Sequence, residues 1–150
     1  MVLGDLFPAS EKEKAFQNQF KPGVILYLHC DFTTPPKEKY LLVAADDGEV
    51  LCFVINSEIN PFLGRRKDSL RCQILLKQHE HNFLAHDSYV NCCELRRFDK
   101  DFVRDIVVKD IARIKGQLSE TATQDVLNAV SGAKTLSTQE KQLVLTGLPT

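Results

Sequence analysis

Residues 39–57 read KYLLVAADDGEVLCFVINS. Two runs rich in Leu, Val, Ile and aromatic residues flank Asp46, Asp47 and Gly48. Because Asp tolerates left-handed backbone angles and Gly adopts them at no steric cost, these residues favour a tight reversal of the chain. The stretch therefore predicts a central β-hairpin. Both runs are nearly continuous in apolar residues, which indicates that both faces of the hairpin are covered.

The composition is typical of a globular protein. The chain has 150 residues, of which 43% are hydrophobic and 26% are charged, and its formal net charge is −1. No apolar run approaches the roughly 20 residues of a membrane-spanning helix, and the N-terminus lacks the features of a signal peptide. We therefore expect a cytoplasmic protein with no membrane partner. The charge balance by itself demands no nucleic-acid partner.

The cysteines favour reduced thiols over a disulfide framework. They are five in number, an odd count, and most lie inside apolar strand patterns. The adjacent Cys92 and Cys93 are predicted to point to opposite faces of one strand. Buried, unpaired thiols are the usual state of such residues in the cytoplasm.

The flanks of the hairpin predict further strands. The segment 31–39 is polar, contains Pro35 and Pro36, and is predicted to be a loop. Residues 105–118 permit helix or strand, and we favour a closing strand at the end of that segment. The predicted strands outside the hairpin are 24–30, 70–76, 88–95 and 112–118.

Helices are predicted mainly towards the ends of the chain, each behind a Ser or Asp that can cap its first turn. Ser137 and Glu140 have the spacing of a capping box. The predicted helices are 11–20 behind Ser10, a helical turn at 99–104 with Asp99 as its cap, a helix that begins after Ser119 and ends at Gly132, and 138–145 behind Ser137.

These elements together predict a mainly β fold, a small antiparallel β-barrel with N-terminal and C-terminal helices. An open α+β sheet is the alternative. The order of elements shows no βαβ alternation, which argues against a doubly wound nucleotide-binding fold. We divide the chain into an N-terminal helical extension (1–21), a barrel with a C-terminal helix (22–131) and a C-terminal helical tail (132–150).

The sequence carries no common catalytic signature. It lacks a phosphate-binding loop, a dinucleotide fingerprint, a nucleophile elbow and an HExxH motif. His79, His81 and His86 lie near Cys92 and Cys93, but the paired spacing of zinc ligands is missing. We therefore predict no metal ligands and no cofactor.

Acid–base chemistry on RNA needs neither metal nor cofactor. Attack by a 2′-hydroxyl requires a base, an acid and a cation that stabilises the phosphorane. Lys39 and Ser57 are predicted to meet at the open end of the hairpin, and His86 and Asp87 precede the next strand. These four are the candidate catalytic residues, although each also suits a solvated loop or a strand end.

Basic residues beside aromatics indicate RNA contacts. Arg65, Arg66 and Lys67 follow Phe62 in a predicted loop, and Lys37 precedes the hairpin. Such residues suit the RNA backbone and stacked bases, and a solvated loop is the alternative. We take the four basic residues as candidate RNA-binding residues.

Six short segments follow one another as PGVIL at 22–26, KYLLVA at 39–44, VINS at 54–57, LAHDSYV at 84–90, RRFD at 96–99 and IKGQLS at 114–119. Their order and residue types resemble the PemK/MazF family of toxins, which are SH3-like barrels. The resemblance spans roughly residues 22–130. Its most persuasive part is IKGQLS followed by a helix, which is similar to the family's I-G-x-L-S.

The resemblance implies an SH3-like barrel of PemK/MazF type with the activity of a toxin. Such a protein is a metal-free endoribonuclease that cleaves single-stranded RNA, usually a homodimer, and a cognate antitoxin protein neutralises it. Lys39 falls at the position of the family arginine that stabilises the scissile phosphate. Ser57 matches a hydroxyl position, and His86 or Asp87 would transfer the proton.

Two other classes of function stay open. Lys39 and Tyr40 replace an Arg-Pro pair of the family, and lysine lacks the bidentate fork of arginine. The alternative is therefore a catalytically inactive SH3-like barrel that acts as a protein- or nucleic-acid-binding module. A third class is a structural or regulatory subunit that binds through its terminal helices.

Overall fold

The structure is a computed structural model, and it describes residues 9–59 and 67–149. Within these ranges the chain forms seven strands, four α-helices of at least ten residues, one short α-helix and two 3-10 helices, Gln78–Glu80 and Ile111–Arg113. The strands are β1 Val24–Cys30, β2 Lys37–Asp46, β3 Glu49–Asn56, β4 Gln73–Leu76, β5 Ser88–Asn91, β6 Arg96–Asp99 and β7 Ile114–Gln117. The helices are α1 Ala9–Gln19, α2 Lys67–Arg71, α3 Lys100–Lys109, α4 Glu120–Gly132 and α5 Thr138–Gly147.

The predicted hairpin is confirmed as the β2–β3 pair. Gly48 takes a left-handed φ of 101° in the turn. The Asp46 carboxylate accepts a hydrogen bond from Gly48 N at 3.3 Å, and the Asp47 carboxylate accepts one from Glu49 N at 3.2 Å. The turn residues therefore act as the sequence predicts, since short acidic side chains bond the backbone two residues on.

All seven strands join one curled, barrel-like antiparallel sheet. The main path runs β4-β5-β3-β2-β1-β7. The outer edge of β3 is shared, because β6 pairs with its first half and β5 with its last two residues. Register shifts in the β1–β7 and β2–β3 pairings mark bulges, which lie in β7 and β2, and bulges bend a strand and increase its twist. The mainly β, barrel-like character of the prediction is therefore confirmed.

Both faces of the central strands are covered, as their continuous apolar runs predict. Leu42 and Phe53 face a core that α4 and α5 complete. Leu41 and Val43 face a second core that α1 and α3 complete. The terminal helices thus belong to the packed body: α1 contributes Phe16, Phe20 follows directly after α1, and α5 contributes Val144.

The caps predicted for the later helices are present. Asp99 accepts a hydrogen bond from Asp101 N, and Ser119 accepts one from Ala122 N. Ser137 and Glu140 form both bonds of a capping box. These interactions are local in sequence, which explains why residue spacing alone predicts them.

The strand predicted at 70–76 is too long. Leu70 belongs to α2 and is 42% exposed, so it does not share a buried strand face with Leu76. Strand β4 begins at Gln73 and pairs with β5 from Gln73–Asn91 to Leu76–Ser88. Both strands are four residues long, so each residue of β4 has a partner in β5.

The strand predicted at 88–95 is also too long. The Asn91 side chain accepts a hydrogen bond from Cys93 N at 3.1 Å, and this turn ends β5. Cys92 and Cys93 therefore lie in a turn, and both pack against the same core. The prediction that they occupy opposite faces of a strand is wrong. After the turn, β6 begins at Arg96 and returns to β3.

The segment after β6 is part helix and part strand. The helical turn predicted at 99–104 continues to Lys109 as α3. The closing strand favoured near the end of the segment is confirmed as β7, which pairs with β1. None of the described helices is long and apolar enough to cross a membrane.

Candidate functional site

A cleft of about 430 Å³ opens where β2 begins and β3 ends. Lys37, Lys39, Ser57 and His86 all line it. The hairpin register explains the first part of this arrangement, since Tyr40 pairs with Ile55 and the residues beyond that pair lie at its open end. The segment before β5 then brings His86 to the same opening. We call this the main cleft.

Lys39 is the most constrained of these side chains. Its Nζ donates a hydrogen bond to Asn56 Oδ1 at 2.6 Å across the hairpin. Burial lowers the pKa of Lys39, and the positive charge of Lys37 lowers it further. An ammonium group held in this way is poorly hydrated and has a fixed position, so it suits the binding of an anion.

His86 lies exposed at the rim of the cleft. Its Nδ1 is 2.8 Å from the carbonyl oxygen of Asp87. A carbonyl only accepts, so Nδ1 carries a proton and Nε2 of the neutral ring is unprotonated. Among the described residues Nε2 has no hydrogen-bond partner. His86 can therefore accept a proton from a ligand in the cleft.

The Asp87 carboxylate is held by a backbone hydrogen bond. Its Oδ1 accepts a hydrogen bond from Gln78 N at 2.8 Å. Gln78 begins a short 3-10 helix, Gln78–Glu80. The Asp87 carboxylate therefore links the end of the segment before β5 to its beginning. Asp87 does not line the main cleft. The structure brings together three of the four candidate catalytic residues and places Asp87 in the supporting segment.

The candidate RNA-binding residues are separated. Lys37 is exposed beside Lys39 in the main cleft. Lys67 is exposed on α2 and does not line it. Arg65 and Arg66 lie outside the described residues. The basic run thus contributes no residue to the cleft within the described part of the chain.

An aromatic wall forms one side of the main cleft. The ring centroids of Tyr27 and Tyr40 are 4.6 Å apart, and those of Tyr40 and Phe83 are 5.6 Å apart. Tyr40 Oη donates a hydrogen bond to the Phe83 carbonyl oxygen at 3.1 Å. Burial, and to a lesser extent the neighbouring Tyr27, raises the pKa of Tyr40. The Tyr40 hydroxyl therefore stays protonated and keeps Phe83 in place.

Gly116 explains how Phe83 reaches this wall. A Cβ atom at Gly116 would lie 2.9 Å from Phe83 Cε1, which is closer than real Cβ contacts. The glycine of the IKGQLS segment thus leaves room for the Phe83 ring against β7. This contact gives a structural reason for the glycine at position 116. From the sequence alone, Gly116 stood out only as part of the family resemblance of IKGQLS.

Two further cations lie beside Tyr27. Lys115 Nζ is 5.8 Å from the centre of the Tyr27 ring. Arg113 Nη1 donates to the Tyr27 carbonyl oxygen at 2.9 Å and lies 3.5 Å from Glu38 Oε1. Local sequence patterns do not reveal this group, because its members come from β1, β2, the residue before β7 and β7 itself. The only sequence signal for this group was the presence of aromatic residues in predicted strands. Such residues more often belong to the core than to a binding site.

His81 holds the segment before β5 to α4. The side chain is 1% exposed. Its Nδ1 is 3.0 Å from the Lys77 carbonyl oxygen, and its Nε2 accepts a hydrogen bond from Ser119 N at 3.1 Å. Both ring nitrogens are therefore used in structure. Within 9–59 and 67–149, no group of three His, Cys, Asp or Glu side chains is placed to hold a metal ion.

The cysteines are protected thiols. None of the five, all of which lie in the described ranges, forms a disulfide bond, and Cys93 is partly buried whereas the other four are buried. Burial raises the pKa of Cys30 and Cys52 and raises that of Cys93 to about 12. The thiolate is the reactive form of cysteine, so these three side chains are poor nucleophiles at neutral pH.

The main cleft therefore combines three aromatic rings, lysine charge, a hydroxyl and an imidazole. Stacked rings bind bases without strong sequence preference, and ammonium groups bind phosphate. The sequence matches no protein-family model and no curated protein. The chemistry of the cleft is thus the basis for assigning a function.

Proposed function

We propose that this protein binds single-stranded RNA in the main cleft and cleaves it as a metal-free endoribonuclease. The observation that carries the proposal is the convergence of Lys39, Ser57 and His86 on one cleft beside three aromatic rings. These residues come from three separate parts of the chain. RNA supplies both chemical groups that such a cleft accommodates, a flat base and a phosphate.

Each residue has a defined role in this proposal. His86 Nε2 removes the proton of a 2′-hydroxyl, whose oxygen then attacks the adjacent phosphorus. The Lys39 ammonium group stabilises the negative charge that develops on the phosphorane, and Ser57 Oγ orients a phosphate oxygen. The bond from phosphorus to the 5′ oxygen breaks, and that oxygen takes a proton from solvent. The products are a 2′,3′-cyclic phosphate and a 5′-hydroxyl.

The family assignment belongs to the same proposal. A curled β sheet with a helix after IKGQLS is compatible with an SH3-like barrel of PemK/MazF type. On that assignment the protein is a homodimer and pairs with a cognate antitoxin protein. Co-purification from the native host, followed by measurement of the mass in solution, tests both partners.

A specific observation favours RNA binding without cleavage as the second candidate. The Asp87 carboxylate is bonded to Gln78 N, so it is not placed to transfer a proton in the cleft. Lys39 also takes the place of a family arginine. A binding module needs the aromatic wall and the cations but no acid–base pair.

The decisive experiment is cleavage of a long unstructured RNA in the presence of EDTA. We expect the wild-type protein to cleave, and Lys39→Ala to reduce the rate by about 100-fold or more, because a lost charge-stabilising group costs roughly 10²–10³ in rate. His86→Ala should reduce the rate by roughly 10²–10⁴. The products should end in cyclic phosphate.

Lys109→Ala is the matched control, since Lys109 is exposed at the end of α3 and does not line the cleft. It should cleave at the wild-type rate. RNA that binds wild type but stays intact would support the binding module. If wild type neither binds nor cleaves RNA, both candidates fail.

A further inference from the structure

A second, smaller cleft of about 210 Å³ adjoins the main cleft. Lys39 lines both of them. The other residues of the second cleft come from the β1–β2 loop, from β3 and from the corner between β5 and β6. They are Phe32, Thr33, Val54, Asn56, Asn91, Glu94 and Arg96. One ammonium group is thus placed between two cavities.

The two asparagines present their amide nitrogens as donors. Asn56 Oδ1 accepts a hydrogen bond from Lys39 Nζ at 2.6 Å. Asn91 Oδ1 accepts from Gln73 Nε2 at 3.0 Å and from Cys93 N at 3.1 Å. These bonds fix the orientation of both amides. In the described part of the chain neither Nδ2 has a hydrogen-bond partner, so both can donate to a ligand.

Arg96 adds a positioned guanidinium group. Its Cζ lies 4.3 Å from the centre of the Phe32 ring, and its Nη2 lies 3.3 Å from Glu94 Oε1. The cation–π contact with Phe32 holds the guanidinium group, and Glu94 occupies part of its donor edge. A guanidinium has five N–H donors, so it can bind a further acceptor while the ion pair persists.

The polar lining of the second cleft is therefore rich in donors. Lys39, Asn56, Asn91 and Arg96 supply N–H groups, and the one carboxylate, Glu94, already has a cationic partner. A phosphate diester presents acceptor oxygens only and carries one negative charge. It matches this lining better than a base edge, which mixes donors with acceptors.

We propose that the second cleft binds a neighbouring phosphate of the same RNA strand that occupies the main cleft. The inference rests on the proposed function, since it assigns the path of the RNA. The strand crosses at Lys39, so the protein contacts at least two successive phosphates. Arg96 and Asn91 are the residues that hold the second phosphate.

The test measures binding rather than cleavage. The probe is a fluorescent single-stranded 2′-O-methyl RNA of five nucleotides, which has no free 2′-hydroxyl and cannot be cleaved by this chemistry. Anisotropy gives the Kd at several salt concentrations. We expect Arg96→Gln to weaken binding about tenfold, because a charge-assisted hydrogen bond is lost. The slope of log K against log salt should fall by about 0.7, the value for one single-strand phosphate contact.

Arg97→Gln is the matched control. Arg97 is the next residue of β6, it pairs with Glu49, and its side chain is as exposed as that of Arg96, at 41% against 38%. It does not line either cleft. Its Kd should stay within about twofold of wild type, the small effect expected of an exposed surface charge.

Asn91→Asp gives a second variant that keeps the turn after β5. The carboxylate retains the oxygen that accepts from Cys93 N, but it replaces the donor with a negative charge. It should weaken the probe at least as much as Arg96→Gln. Equal affinity and salt slope for wild type and both variants would overturn the second phosphate site. If Lys39→Ala still weakens the probe in that case, RNA binding in the main cleft stands, whereas a wild-type protein that binds no probe overturns both.

Discussion

Lys39 is a residue that lines both clefts. It bonds Asn56 across the hairpin and borders the two cavities. Its burial lowers its pKa, so the folded protein holds this proton less tightly than the unfolded chain does. The burial of this charged lysine therefore has some cost to the stability of the fold.

This cost has a defined pH dependence. Because the folded pKa of Lys39 is below the usual value of 10.5, the cost is fully present below the folded pKa. It is released as the pH rises from the folded pKa towards 10.5, since the unfolded chain then binds more protons than the folded one. An NMR titration of the Lys39 side chain should give a pKa below 10.5.

The two causes of the shift can be separated by substitution. Lys37→Gln removes the neighbouring charge and should raise the pKa of Lys39 part of the way back. Lys109→Gln removes an exposed charge at the end of α3 and should leave it unchanged. A pKa at or above 10.5 in the folded protein would contradict the burial of a charged lysine. No response to Lys37→Gln would instead contradict the effect of the neighbouring charge on the pKa of Lys39.

At the scale of residues, the sequence predicted those contacts that follow directly from the pairing of the two hairpin strands. The meeting of Lys39 and Ser57 follows from a two-stranded turn and is confirmed. The position of Asp87 could not be predicted, since its partner Gln78 belongs to a 3-10 helix with no clear sequence signal. The contact of Tyr40 with Phe83 spans 43 residues, which local patterns do not reach.

At the scale of elements, β7 supports the cleft because one of its residues, Gly116, has no side chain. Gly116 lets the Phe83 ring lie against the strand. Gly116→Ala should lower the free energy of unfolding by about 1–3 kcal/mol, the usual cost of overpacking. It should also weaken RNA binding, because Phe83 belongs to the aromatic wall. Urea unfolding and the anisotropy assay measure the two effects.

Gly132→Ala is the matched control for this substitution. Gly132 ends α4, and a Cβ built there meets no atom within 4 Å. Alanine favours helix by up to about 1 kcal/mol over glycine, so this variant should be at least as stable as wild type. If both variants lose the same stability, the close approach of Phe83 to Gly116 is not what makes alanine unfavourable there.

The predictions of elements succeeded where their causes are local. Helix caps at Asp99, Ser119 and Ser137 depend on neighbouring residues and are confirmed. The lengths of β4 and β5 depend on each other and on the turn at Asn91, so apolar alternation overestimated both. A pattern can indicate that a strand is present without indicating where its partner ends.

At the scale of the whole molecule, the terminal helices close the two cores. Phe16 of α1 is 3% exposed and stacks on Phe20 at 4.6 Å between centroids. Phe16→Ala should reduce the free energy of unfolding by about 3–5 kcal/mol, as for other buried phenylalanines. Phe102 of α3 is 53% exposed, and Phe102→Ala should change stability by about 0.5 kcal/mol or less. Equal losses in urea unfolding would show that α1 does not complete the second core.

The sequence predicted that both faces of the sheet are covered, but not which helices cover them. Continuous apolar strands require two covering layers, whatever supplies them. The assignment of α1 and α5 to those layers depends on contacts between distant segments, such as Val144 against the core under β2. Those contacts leave only weak amphipathic patterns in short helices.

The link between β1 and the segment before β7 sets the order in which the site can form during synthesis. Arg113 bonds the Tyr27 carbonyl across 86 residues of chain, and Ser119 bonds the buried His81. At roughly 5–20 residues per second, a ribosome completes the hairpin several seconds before it reaches these residues. We therefore expect the nascent chain to lack a finished main cleft while it is still close to the messenger and ribosomal RNA. On the proposed function, late closure would delay cleavage of the RNA that encodes the protein.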